Sequence, residues 1–153
     1  MARDTADEER ALPPATERTS YRIWTYDKLR YNDTDRQGHV NNAVFATFFE
    51  TGRVAFLYDK SLALAAPACN FVVARLVIDF RAELYFPGTV DIGTRVLKVG
   101  RSSFVVGQGV FKGELCVATA ESVGVQTNDE TRKSEPLTPA MVAWLEERME
   151  ATD

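Results

Sequence analysis

Cysteine is nearly absent: Cys69 and Cys116 are the only two in 153 residues. Two thiols so far apart build neither a disulfide scaffold nor a metal knuckle, and they read as reduced thiols. Histidine occurs once, at His39, which removes the close-spaced histidine pair of common zinc motifs. Positive charge is not in excess. With 18 basic and 22 acidic side chains the net charge is −4, so nucleic acid is not an expected partner. No apolar run approaches the roughly 18–20 residues that cross a bilayer, so no membrane partner is expected. The first 20 residues lack the apolar stretch of an export signal, which points to a cytoplasmic location. A G-x-S-x-G nucleophile turn is missing as well.

What is present suits one globular domain of 17.1 kDa, 45% apolar and 26% charged. Residues 1–20 carry Pro13-Pro14 and mixed charge with few large apolar groups, so they read as a mobile tail. Residues 21–130 form the main domain, and 131–153 read as a C-terminal loop and helix packed on it. A β-rich alternating stretch at 21–26, extending toward 31, predicts the first strand. Residues 42–58 then predict a helix that is apolar on most faces, with only Thr47, Glu50 and Thr51 as a polar stripe. Such a helix must be buried, and the only wrapping available is the sheet that follows. Strand-like segments at 71–80, 90–99, 104–111 and 115–125 are joined by short turns and read as an antiparallel meander. Gly107, Gly109 and Gly124 inside strands suggest bulges or strong curvature, which a sheet wrapped around a helix needs. Thr138-Pro139 resembles a cap followed by a first-turn proline, opening an amphipathic helix over 139–150. The fold class is α+β: about five main strands wrapped around one long buried helix, plus a short C-terminal helix.

The densest chemistry lies in the turn before the long helix, within RYNDTDRQGHVNNAVFATFFETGR at residues 30–53. Asp33, Asp35, His39, Asn41 and Asn42 crowd together there. The opening Asp33-x-Asp35-x-Gln37-Gly38 has the rhythm of a calcium loop, but Val44 stands where the twelfth ligand must be an acid. Asp33, Asp35 and His39 could ligate a metal, but clusters of this kind more often cap helices, so no metal and no cofactor are expected. The remaining chemistry is attack on an acyl carbonyl. A helix N-terminus offers unpaired N–H groups and a positive dipole end that suit an oxyanion. A carboxylate just upstream can act as base or nucleophile.

That segment resembles the signature of hotdog-fold acyl-CoA thioesterases, specifically the 4-hydroxybenzoyl-CoA thioesterase-like family. The later VVARLVIDFRAELYFPGTVDIGTRVLKVGRSSF resembles the family's strands, and the likeness covers about residues 21–130. The resemblance implies a hydrolase that splits an acyl-CoA thioester into a carboxylic acid and free CoA, with CoA entering only as part of the substrate. Its catalytic aspartate falls on Asp35, and the backbone oxyanion donor falls on Asn42. Relatives with the GHVNN form keep His39 and Asn41 beside the site.

Asp33 reads as a turn-stabilising acid. His39 either orients substrate or water or hydrogen-bonds the turn, and Asn41 and Asn42 are natural caps. Glu50, two helical turns on, is a reserve carboxylate or the partner of Arg53 in a buried ion pair. Arg101, Ser102 and Ser103, with Lys98 close by, make a basic turn that could hold a CoA phosphate; Arg132-Lys133 could add charge. A single curved sheet leaves an open edge, so a homodimer and then a homotetramer are expected, with sites shared between subunits. Two alternatives stay open: a non-catalytic acyl-thioester binder, and an enoyl-thioester hydratase whose Asp-x-Asn-Pro-x-His spacing this turn does not meet.

Overall fold

In the computed structural model, which describes residues 15–58 and 64–149, five strands form one antiparallel sheet against a long helix. In chain order the elements are β1 (Ile23–Lys28), α1 (Asn42–Leu57), β2 (Cys69–Phe80), β3 (Thr89–Val99), β4 (Ser103–Lys112), β5 (Leu115–Asn128) and α2 (Pro139–Met149). Every element expected from the sequence pattern is present, with ends displaced by a few residues. The strands β3, β4 and β5 form a meander through tight turns, the second of them at Gly113, whose φ of 59° is left-handed.

The position of β2 departs from the expected meander. It pairs with β5, not β3, and the sheet order is β1-β3-β4-β5-β2. The reason is that β1 occupies the edge of β3 that β2 would need. The chain must therefore return from one side of the sheet to the other, a distance of roughly 14 Å at normal strand spacing. Residues 81–88 make that crossing. The Arg81 and Ala82 N–H groups bind Val117 O at 2.9 and 3.1 Å, and Gly88 O accepts from Leu29 N–H at 2.8 Å.

Helix α1 starts where Asn41 caps it and lays Phe45, Phe48, Phe49, Gly52 and Phe56 on the sheet. Phe45, Phe48 and Phe49 meet Leu84, Val90, Ile92, Val110 and Val117 in the main core. Burying each phenyl ring contributes about 1.5–3 kcal/mol. At the centre, Gln108 Nε2 donates to Phe49 O and to Thr94 Oγ1, both at 3.1 Å. Gly52 gives the helix room to approach this pair. The expectation of burial nearly all round is met on one side only: Ala43, Val54, Ala55 and Tyr58 are exposed. The sheet covers one side of the helix, and among the described residues nothing covers the other.

Gly107 and Gly109 sit in regular pairs, whereas Gly124, the partner of Val73, borders a bulge. The register shifts fall at Val73/Arg75, Val96/Lys98 and Val110/Phe111. Gly109 instead makes room for the rings of Tyr21 and Phe111, and Gly124 for that of Phe104; a Cβ at either would strike an aromatic carbon. Of the stretch expected to be a tail, residues 1–14 lie outside the described residues, while 15–20 lie on the domain. Arg18 stacks on Trp24 with its guanidinium 4.5 Å from the ring centre, and it pairs with Asp91 at 3.1 Å. Tyr21 donates to Ala15 O at 2.6 Å. At the other end of the chain, Thr138 Oγ1 accepts from Met141 N–H at 3.0 Å, and α2 buries Met141 and Leu145 as its periodicity requires.

A Cβ on Gly52 would sit 2.5 Å from Gln108 Nε2 and 2.7 Å from Ile92 Cγ2. Gly52→Ala should therefore destabilise the fold by about 1–3 kcal/mol through overpacking, although alanine gains about 1 kcal/mol of helix propensity. Urea unfolding measures the difference, and a more stable variant would contradict the close approach of α1 to the sheet.

Candidate active site

The turn between β1 and α1 is built in two layers. Asp33 forms the inner one. It is 3% exposed, and its carboxylate accepts from the Arg30 N–H at 2.8 Å and from the Arg30 guanidinium at 3.0 Å. Its carbonyl accepts from Asn41 N–H at 2.9 Å, so Asp33 ties the start of the turn to its end. With its oxygens committed to Arg30, Asp33 is a structural acid and a poor metal ligand.

The outer layer is a small closed loop. Asp35 N–H binds His39 O at 2.9 Å, and Gly38 N–H binds Asp35 O at 3.0 Å. Gly38 adopts φ 89°, a conformation that a side chain would resist. Asp35 Oδ1 accepts from Gln37 N–H at 2.8 Å, which leaves Oδ2 directed at His39, 3.6 Å from Nδ1. Both side chains are mostly covered, at 24% and 20% exposure. Asp35 is thus held against the imidazole and does not project into bulk water.

Where the loop meets the helix, Asn41 Oδ1 accepts from Ala43 N–H at 2.9 Å, and Asn41 O accepts from Val44 N–H at 2.9 Å. Asn41 is the cap. The Asn42 N–H, ahead of the first intrahelical bond, has no acceptor among the described residues. It borders a cavity of about 310 Å³ lined by His39, Val40, Asn42, Phe45, Phe80, Arg81, Ala82, Glu83 and Leu84. The His39 imidazole and the helix N-terminus therefore meet at one hollow, and Asp35 stands beside the imidazole without lining that hollow itself.

Other sequence candidates lie elsewhere. Glu50 is exposed on α1, and no ion pair joins it to Arg53 among the described residues. Arg53 is buried, and that burial lowers its pKa while the charge of Glu50 opposes the shift. Arg101, Ser102 and Ser103 form the β3–β4 turn, and Lys98 lies near the end of β3. That turn is at the opposite end of the sheet, roughly 30 Å along the strands at 3.3 Å per residue. Within one chain, these groups and Asp35 do not share a site.

The structure brings in residues that sequence reasoning passed over. Arg81, Glu83 and Tyr85 sit in the 81–88 crossing, and Val40 N–H binds Leu84 O at 2.7 Å. Glu83 Oε1 lies 4.0 Å from His39 Nε2. Tyr85 donates its hydroxyl to Glu83, and that hydrogen bond, reinforced by the carboxylate charge and slight burial, raises the phenol pKa. The break in β-alternation after Phe80 and the acid–aromatic pair before Pro87-Gly88 were the available signals.

Comparison with known proteins agrees with this architecture. Residues 29–145 match a family profile described as "Thioesterase-like superfamily". The chain is 26% identical over 136 residues to "Uncharacterized protein YsmA" of Bacillus subtilis, covering 87% of this chain and 86% of that one. It is 27% identical over 90 residues to "Acyl-CoA thioester hydrolase YbgC" of Escherichia coli, covering 57% of this chain and 67% of that one. The crystal structure of the PA5185 protein from Pseudomonas aeruginosa superposes with a TM-score of 0.77 at 22% identity, covering 87% of this chain and 95% of that chain.

The two turn layers should respond differently to substitution. Asp33→Ala removes a buried acceptor and should destabilise by about 1–3 kcal/mol, while Asn41→Ala should cost about 1 kcal/mol through the lost cap. Denaturant midpoints check both, and a neutral Asp33→Ala would show that Arg30 does not anchor the turn.

Proposed function

The chain belongs to the thioesterase-like superfamily and has its hotdog fold, and from that premise we propose that it hydrolyses acyl-CoA thioesters to a carboxylic acid and free CoA. The observation that carries the reading is the meeting of His39 and the acceptor-free Asn42 N–H at one cavity, with Asp35 Oδ2 3.6 Å from the imidazole Nδ1. The substrate carbonyl oxygen would receive the Asn42 N–H, where the helix dipole favours negative charge. Asp35 would take a proton from water as the water oxygen bonds to the carbonyl carbon. When the tetrahedral intermediate collapses, the C–S bond breaks and that proton leaves on the thiol. Asp35 attacking directly, to give an acyl anhydride that water then opens, uses the same two groups. A single turnover in 18O-labelled water identifies direct attack when water opens the anhydride at the Asp35 carbonyl, because the first acid released then carries no label, whereas the water route always labels it. No metal or other cofactor enters either route.

The assembly follows from the sheet edge. β2 is a twelve-residue edge strand with Val72, Val73, Val77 and Phe80 exposed, the kind of edge that recruits another strand. Two copies joined by a two-fold axis would pair β2 with β2, and such pairing is antiparallel by symmetry. The Cys69 end of the partner would then face the Phe80 end of this chain. That arrangement moves the partner's β3–β4 turn toward this chain's Asp35, so Lys98, Arg101, Ser102 and Ser103 would serve the CoA phosphates across the interface. Glu50, exposed on α1, and the cap Asn41 would border the acyl groove. The exposed Val54 and Tyr58 offer a second apolar surface through which dimers would form tetramers.

Asp35→Asn should lower kcat at least about a hundredfold with little change in unfolding midpoint, since the amide oxygen can still accept from Gln37 N–H and only the part-exposed approach to His39 is altered. Thiol release across short, medium, long and aromatic acyl-CoAs measures it. Near-normal turnover would remove Asp35 from the chemistry, and binding without thiol release by the unaltered protein would make it a binder. Light scattering should give a solution mass at least twice the 17.1 kDa of one chain; a monomer would refute the shared site.

A further inference from the structure

His39 is flanked on both sides. Its Nδ1 is 3.6 Å from Asp35 Oδ2, and its Nε2 is 4.0 Å from Glu83 Oε1. A 2.7 Å hydrogen bond from Val40 N–H to Leu84 O ties together the two stretches that carry His39 and Glu83. Tyr85 donates its hydroxyl to Glu83 Oε2 and sets its ring edge-on to the imidazole, with centroids 6.4 Å apart and planes at 82°. We propose that Glu83, fixed by Tyr85, is a positioning residue of the hydrolytic site, holding His39 so that its Nδ1 faces the Asp35 carboxylate. This inference rests on the reading of Asp35 as the carboxylate that drives hydrolysis.

The physical case has three parts. Turning the imidazole by half a revolution would set ring carbons against both carboxylates, so the two acids together select one orientation. Nδ1 also lies 3.4 Å from Val40 O, so the backbone carbonyl and Asp35 share that nitrogen and only the ring's orientation keeps it toward the carboxylate. A carboxylate beyond each ring nitrogen offers an acceptor to whichever nitrogen carries a proton, so the pair favours the observed ring orientation. Arg81, the cation lining the same cavity, is the remaining charged group facing this cluster. The Glu83 side chain is 63% exposed. Solvent screening therefore limits its long-range field, and its effect is orientation at close range.

The test uses the full chain, an acyl-CoA that the unaltered protein turns over, and 15N-labelled histidine. His39 is the only histidine, so its ring signals need no assignment. Glu83→Gln should reduce kcat by about ten- to a hundredfold, the loss that follows misplacing a reacting group by about an ångström. KM should stay within about twofold. The His39 ring 15N shifts, which report the proton on each nitrogen, should move in the same variant. Tyr85→Phe should change kcat and the shifts in the same direction by less. Three results would each overturn the proposal: an unchanged kcat, a change confined to KM, or a fall in kcat with the His39 shifts unmoved. If the unaltered protein releases no thiol from any acyl-CoA, the hydrolase reading fails and this inference goes with it. An active parent with a silent Glu83→Gln variant removes the inference alone.

Discussion

One backbone hydrogen bond, from Val40 N–H to Leu84 O at 2.7 Å, joins the two stretches of chain on which the rest of the molecule depends. On one side of it is the polar turn that launches α1; on the other is the crossing that returns the chain from β2 to β3. Strand order forces that crossing. With β1 against β3 and β2 against β5, the 81–88 segment has to traverse the end of the sheet. Its path brings it under the helix start. The cavity, the capped helix and the carboxylates on either side of His39 are consequences of that meeting.

The same architecture leaves the single chain half covered. The inner face of the sheet and one side of α1 form a closed core around Phe45, Phe48 and Phe49. The opposite side of α1 and the edge of β2 keep apolar groups in water, among them Val54, Val73 and Phe80. Exposed apolar surface of this extent on a long edge strand costs free energy that pairing with another copy would recover. In the proposed enzyme catalysis and assembly would be linked, because Phe80 on the exposed β2 edge also lines the cavity beside His39.

Within the turn, two aspartates two residues apart have opposite duties. Asp33 is buried and fully engaged by Arg30, which suits an anchor. Asp35 gives one oxygen to its own loop and keeps the other toward an imidazole at a hollow. The backbone makes the difference, because the short 3-10 turn over Tyr31–Asp33 faces Asp33 inward before the loop carries Asp35 outward.

The sequence alone determined the elements and singled out the turn before α1 as the densest cluster of polar groups. Period and composition placed β1 to β5, α1 and α2, because alternating and helical patterns record which side chains must be buried. The turn 30–41 announced its acids, its cap and its glycine through local rules that need no distant partner. Tertiary structure decided what local rules cannot reach. It put β2 beside β5, left one side of α1 bare, used Gly109 and Gly124 to seat aromatic rings, and set the Arg101–Ser103 turn far from Asp35 in the same chain. It also brought Glu83 and Tyr85 to His39 from more than forty positions away. Such pairings arise from the order in which strands join and from where the chain must cross, and no spacing along the sequence encodes either.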